Sequence, residues 1–302
     1  MRRKRKVRAA ALLLALLLCA CAAPVAETEQ ARPAASPTAC PEAPAADPIN
    51  ALLRQMTLRE KVGQLFMVRP DALDPALPQT QIDDERAAGV TELTEAMRAA
   101  LQQYPVGGIC QFGKNIEDPE QLTRFNADLQ RASRWPLLIA VDEEGGAVAR
   151  LANDPDFALP QYESAAAVGA SGDPEQAREM GRTIGGYLKT CGFTMDFAPD
   201  ADVLTNPENP VIGDRAFSQD AETVARMAAA MAQGLQEQGV LPVYKHFPGH
   251  GDTAEDSHSG LARTDRTLAE MRGCEFLPFR LTENGFEPER LPAVMVGHIA
   301  AP

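Results

Sequence analysis

Six short apolar runs, each preceded by a stretch of helical periodicity, constrain this 302-residue chain more than any other feature. The runs cover residues 65–68, 106–112, 137–141, 193–197, 240–244 and 293–296, and the helical stretches 56–62, 91–103, 119–132, 174–190, 221–238 and 275–284. In 174–190, for example, Ala177, Met180, Gly181, Ile184, Tyr187 and Leu188 recur with the 3.6-residue period. Strands that are apolar throughout are buried on both faces, as happens in a parallel sheet covered by helices. The expected class is therefore α/β. Six such units fit an open doubly wound sheet, or a (β/α)8 TIM-type barrel with about six of its eight units present. No glycine-rich dinucleotide fingerprint follows the first run, which counts against the former. Polar residues gather just after the runs, at Asp142, Asp196, Asp200, Lys245, His246 and His298, where either architecture binds its ligands.

The N-terminus reads differently. Arg2, Arg3, Lys4, Arg5, Lys6 and Arg8 precede an apolar run over residues 9–18 that is short for a bilayer span, so residues 1–20 read as a secretory signal, with a transmembrane anchor as the alternative. The run ends in Leu18-Cys19-Ala20-Cys21, which resembles the lipobox of bacterial lipoproteins and implies lipidation of Cys21. Residues 21–47, with Pro24, Pro33, Pro37, Pro41 and Pro44, have the composition of an extended spacer. The expected protein is exported and held at the outer face of the cell membrane by its N-terminal lipid alone. Cleavage before Cys21 would remove six cations and no anions, taking the net charge from −13 to −19. So acidic a body argues against nucleic acid as a partner, since phosphate binding needs a basic face. Cys40, Cys110, Cys191 and Cys274 lie far apart and suggest neither a zinc knuckle nor a disulfide framework.

The most informative stretch is Lys245-His246-Phe247-Pro248-Gly249-His250-Gly251-Asp252-Thr253, followed by Asp256-Ser257-His258. Three of the four histidines fall within it. Three readings stay open on the residues alone. His246, His250 and His258 could together ligate a metal with Asp252 or Asp256, although Pro248 and two glycines forbid a helical zinc motif. Asp256 and His258 can instead form a coupled pair, in which the carboxylate favours the protonated imidazole and fixes its tautomer, as acid/base catalysis requires. Or the histidines simply cap loops by hydrogen bonds.

The same stretch resembles the hallmark of glycoside hydrolase family 3, in its β-N-acetylglucosaminidase branch. Other segments resemble the family in order along 48–302: Met56-Thr57-Leu58-Arg59-Glu60-Lys61-Val62-Gly63-Gln64, Val106-Gly107-Gly108-Ile109 with Phe112-Gly113-Lys114-Asn115, Asp142-Glu143-Glu144-Gly145-Gly146-Ala147-Val148-Ala149-Arg150, Asp196-Phe197-Ala198-Pro199, and Asn209-Pro210-Val211-Ile212-Gly213-Asp214-Arg215. Ala147 departs from the arginine common in relatives. The resemblance implies that His258 is the general acid/base with Asp256 as its partner, and that Asp142, Arg150, Arg215, Lys245 and His246 hold the hydroxyls of a terminal N-acetylglucosamine. Taken singly, these residues have plainer readings: an ion pair at a strand end for Arg150, and helix caps for Asp142 and Asp196.

The family's nucleophile is an aspartate after a seventh strand, and the chain ends at Pro302, just past the sixth. Retaining hydrolysis needs both an attacking carboxylate and an acid, so the expectation is an incomplete barrel that does not turn over as it stands. The implied enzyme is a retaining β-N-acetylhexosaminidase acting on carbohydrate such as peptidoglycan fragments, without metal or organic cofactor. Rival readings are a family 3 β-glucosidase or β-xylosidase, an N-acetylglucosaminide phosphorylase, a metallohydrolase, and a catalytically dead lipoprotein that binds wall sugars.

Overall fold

The computed structural model describes residues 48–255 and 260–301. The leader 1–20, Cys21, the spacer to residue 47, and the Asp256 and His258 pair lie outside the described residues. Among the described residues the strands are β1 (Met67–Val68), β2 (Gly108–Cys110), β3 (Leu138–Val141), β4 (Glu143–Gly145), β5 (Val148–Ala149), β6 (Met195–Asp196), β7 (Leu241–Phe247), β8 (Ala262–Arg263), β9 (Ala293–Val296) and β10 (Ile299–Ala300). The helices are α1 (Pro48–Gln55), α2 (Leu58–Gly63), α3 (Gln79–Asp83), α4 (Glu95–Gln103), α5 (Pro119–Ala132), α6 (Ala165–Ala170), α7 (Pro174–Thr190), α8 (Ala221–Glu237) and α9 (Leu268–Gly273). None of them is long and apolar enough to cross a membrane.

All six expected strands form, as β1, β2, β3, β6, β7 and β9. They pair side by side in chain order, every pair parallel, to make one curled sheet. A doubly wound sheet reverses its strand order at a switch point. No reversal occurs here, and chain-order winding is that of a barrel wall. Two small additions decorate the strand ends: a β4–β5 hairpin after β3, and a β8–β10 pair beyond β7 and β9.

Helix boundaries follow local chemistry. An aspartate caps each of the three long helices, Asp118 for α5, Asp173 for α7 and Asp220 for α8, and proline occupies the first turn of α5 and α7. The expected helix 56–62 instead starts at Leu58, because Thr57 and Glu60 close a reciprocal capping box, and α1 ends before Met56. Likewise α4 starts only at Glu95, where the Thr94 hydroxyl accepts the Met97 amide. The helix expected over 275–284 does not form. Pro278 breaks it, and the Asn284 side chain takes up the carbonyls of Leu277 and Pro278. The helix that precedes β9 is the shorter α9, begun by a Thr267–Glu270 capping box.

Side chains alternate across the sheet with a period of two. Ile139, Val141 and Tyr244 join the large cluster packed against the helices, whereas Ala140, Met195 and Val243 form a small inner cluster with Met67, Phe197 and Met295. Cys110 and Cys191 are buried free thiols, as expected. The alternation matters at the strand ends. Asp142, Glu144 and Lys245 continue the inner face, while Glu143 continues the outer one.

Candidate active site

The inner face ends in an ion network. Lys245, inside β7 rather than after it, is only 2 % exposed, and its Nζ lies 2.7 Å from Asp142 Oδ1 and 2.5 Å from Glu144 Oε1. Arg215 grips the other side of Glu144, donating from Nε to Oε2 at 2.8 Å and from Nη2 to Oε1 at 2.7 Å. The same guanidinium reaches Asp200 at 3.4 Å. Burial opposes the charge on Glu144, but Lys245 and Arg215 outweigh it and pull the carboxyl down to about 2. Burial also opposes the charge on Lys245, which Glu144 and Asp142 more than offset, so the ammonium is held above its usual range. Two cations thus face the carboxyl groups of Asp142, Glu144 and Asp200, and a cation in the interior is tolerable only with such partners.

A second arm leads from β7 to the glycine-rich turn. Asp202, on the loop after β6, is fully buried and bonded twice: Oδ2 to His246 Nδ1 at 2.6 Å and Oδ1 to the His250 amide at 2.6 Å. Burial pushes the Asp202 carboxyl up while the His250 amide acts against that shift, and the 2.6 Å contact ties the His246 ring to this carboxyl through Nδ1. Burial first, with help from Lys245 and Arg215, brings His246 down to about 4, so the ring is neutral near pH 7. Burial and the neighbouring Asp202 push Asp200 up to about 7.

Loop chemistry holds these pieces in place. Asn209 accepts the amides of Val211 and Ile212 and donates to the carbonyls of His250 and Thr253, tying the Arg215 loop to the turn after β7. The β4–β5 hairpin turns at Gly145 (φ +84°) and Gly146 (φ +64°), a backbone that a side chain at either position would strain. That turn returns the chain so that Arg150 follows β5 beside the site. The Cys110 thiol at the end of β2 is raised to about 12 by burial and feels Asp142, Lys245, Arg69 and Arg150 together, which places all four around one end of the sheet. Arg150 Nε is buried with no hydrogen-bond partner among the described residues.

Of the residues singled out in the sequence, the structure brings Asp142, Arg215, Lys245 and His246 into one connected cluster with Arg150 beside it. His298 is exposed. Asp142 and Asp196 cap no helix: the first enters the hairpin, and the second is fully buried at the end of β6. The described members of the candidate metal set do not converge on a common point. His250 Nδ1 pairs with Thr253 Oγ1 at 2.6 Å, and Asp252 accepts the Thr264 hydroxyl at 2.6 Å. Among the described residues, the group best placed for a divalent cation is Asp200, Asp202 and His246, whose donor atoms lie within 4.8 Å of one another. Arg215 Nη2 lies 3.4 Å from the Asp200 carboxyl of that group. Sequence reasoning assigns no ligand or catalytic role to Glu144, Asp200 or Asp202. The run of three acids Asp142-Glu143-Glu144 at a strand end is the available signal, since alternation aims its first and third members at one face.

Residues 57–302 match the glycosyl hydrolase family 3 N terminal domain. The chain belongs to that family. It is 37 % identical over 234 residues to a β-hexosaminidase, LpqI, of Mycobacterium tuberculosis, covering 76 % of this chain and 57 % of that one. Among solved structures, a family 3 β-N-acetylglucosaminidase from Paenibacillus superposes with a TM-score of 0.70 at 36 % identity, over 82 % of this chain and 43 % of that one. NagZ of Neisseria gonorrhoeae, solved in complex with N-trifluoroacetyl-D-glucosamine, gives 0.65 at 30 % identity, over 78 % and 64 %. The chain therefore spans about half the length of such relatives.

Proposed function

We propose that this chain forms the sugar-binding part of a retaining β-N-acetylglucosaminidase. Asp142, Arg150, Arg215, Lys245 and His246 hold the terminal N-acetylglucosamine at the C-terminal end of the sheet, and His258, poised by Asp256, is the general acid/base. The observation that carries this reading is the buried Asp142–Lys245–Glu144–Arg215 network, in which each cation is held between two carboxyl groups. A set of fixed, mutually paired cations and carboxylates suits a neutral polyol, which takes charge-assisted hydrogen bonds from them without bringing a counter-charge. The sugar bound to the Neisseria relative is of this class. In the reaction, His258 gives its proton to the glycosidic oxygen as a carboxylate attacks the anomeric carbon, then takes a proton from the water that releases the sugar. The fold supporting this is a (β/α)8 barrel, of which chain-order winding supplies six strands. The leader and Cys21 support a lipid-anchored protein outside the cell membrane, with peptidoglycan fragments as substrates.

Calorimetric titration of the chain tests the binding half. N-acetylglucosamine should bind at least tenfold tighter than glucose, and Asp142→Asn should weaken it at least tenfold. Equal affinity for the two sugars, or an undiminished Asp142→Asn variant, would sink the reading. For the acid/base half, His258→Ala should slow cleavage of a β-N-acetylglucosaminide with a poor leaving group by about 10²- to 10⁴-fold, and an unaltered rate refutes that role.

A further inference from the structure

Glu143 sits between two residues of the proposed sugar site yet faces away from it. Its carboxylate is fully buried on the helix side of the sheet. Oε2 accepts the Leu151 amide at 2.9 Å; Oε1 accepts the Ala152 amide at 2.8 Å and the Tyr187 hydroxyl of α7 at 2.8 Å. The Arg150 amide is directed at the same carboxylate. Burial pushes the Glu143 carboxyl up, and three consecutive backbone N–H groups with the Tyr187 hydroxyl act against that shift, forming a nest that needs an acceptor at both carboxyl oxygens. The backbone amide of Glu143 is in turn fixed to Asp196 Oδ1 at 3.0 Å, so the clamp is anchored to β6. This is a costly arrangement to maintain for structure alone. Asp196 is also fully buried, with Oδ2 unpartnered among the described residues, and no cation of those residues forms an ion pair with either carboxyl. What the clamp holds is the segment from which Arg150 projects, with its Nε buried and unpartnered.

We infer that Glu143 is the positioning residue for Arg150: by organising the backbone of residues 150–152 it holds the guanidinium at the end of the sheet, where a sugar hydroxyl completes its hydrogen bonding. The inference rests on the sugar-binding role proposed for Arg150, and its test separates the two. N-acetylglucosamine affinity is measured for the unaltered chain, Glu143→Gln, Arg150→Ala and the double variant, with thermal midpoints alongside. Glu143→Gln should weaken binding about tenfold when Arg150 is present and not at all when it is absent. The same loss in both backgrounds, or no loss in either, overturns the inference. An independent readout needs no sugar. The Arg150 Nε–H should exchange slowly with solvent in the unaltered chain, and at least tenfold faster in Glu143→Gln; unchanged exchange also overturns it. An unchanged affinity in Arg150→Ala would refute the sugar contact, while Nε–H exchange still decides the role of Glu143. If Glu143→Gln does not fold, Tyr187→Phe removes just one partner of the carboxylate and should still speed exchange severalfold. Unchanged exchange in that folded variant carries the same refutation.

Discussion

Replacing Glu144 by glutamine removes one negative charge from the centre of the network while keeping its shape. The native carboxylate accepts two bonds from Arg215 and one contact from Lys245, and is almost fully buried. The substituted amide would have one oxygen for two cations and would turn an NH2 toward the other. Removing one partner of a buried pair costs about 3–5 kcal/mol, because the remaining charge stays desolvated. Linkage leads to a similar figure. The native carboxyl lies at about 2 against 4.5 for an unperturbed one, and at about 1.4 kcal/mol per unit that is about 3 kcal/mol. For a domain of this size the thermal midpoint should fall by about 6–12 °C. The sign of the pH effect follows. A depressed carboxyl contributes stability that is present above the unfolded-state value and lost as pH falls through the native one. The gap between the unaltered chain and Glu144→Gln should therefore be full at pH 6 and shrink as pH falls from about 4.5 to 2. Urea unfolding with matched m-values at several pH values measures it. A loss under about 1 kcal/mol at pH 6, or a gap independent of pH, refutes the idea that Glu144 is the counter-ion of both cations.

Asp200 should act oppositely: its native carboxyl, raised to about 7, holds a proton that the unfolded chain releases, so stability falls as pH rises from about 4 to 7. Asp200→Asn should flatten that limb of the urea-midpoint profile, and an unchanged limb refutes the assignment. Asp202→Asn, with its oxygen still accepting the His250 amide, would present an NH2 to His246 Nδ1 and place the ring proton on Nε2, visible in the ring nitrogen shifts, with sugar affinity falling about tenfold; a ring proton found on Nδ1 in that variant refutes the contact. Gly251→Ala would set a methyl 1.9 Å from the Val203 carbonyl oxygen, so it should cost at least about 2 kcal/mol in urea unfolding, and a change within about 0.5 kcal/mol would show that the turn yields easily.

The sheet is legible because each strand is an apolar run with polar residues at its end, and the helices that open with Asp-Pro or a capping threonine can be placed within a few residues. The helix expected over 275–284 fails at Pro278, whose missing N–H and clash with the preceding turn break the hydrogen-bond ladder. The site is half legible. Lys245 and His246 stand out through the rarity of histidine and their place at a strand end. Glu144 and Asp202 do not, because a buried acid acquires its role from partners distant in sequence. Glu144 meets Arg215 from 71 residues away, and Asp202 meets His246 from 44. Nothing local in either acid announces that meeting.

These distant pairings also explain why the site can be rigid before any sugar arrives. A hydroxyl gains most from a donor or acceptor already desolvated and aimed, since no reorganisation then opposes binding. Desolvating Lys245 or Arg215 alone would be prohibitive, so both are kept in place by Glu144, which the two in turn keep ionised. Asp142 and Arg215 are the members of the network that still reach solvent, at 21 % and 15 % exposure, while Glu144 and Lys245 behind them are nearly closed off. The network therefore divides its labour by depth. Glu144 holds the cations, and Asp142 is left to meet the ligand. A variant that neutralises the deep member should lose stability and affinity together, whereas Asp142→Asn should lose affinity with a smaller loss of stability than Glu144→Gln, and equal stability losses would refute the division by depth.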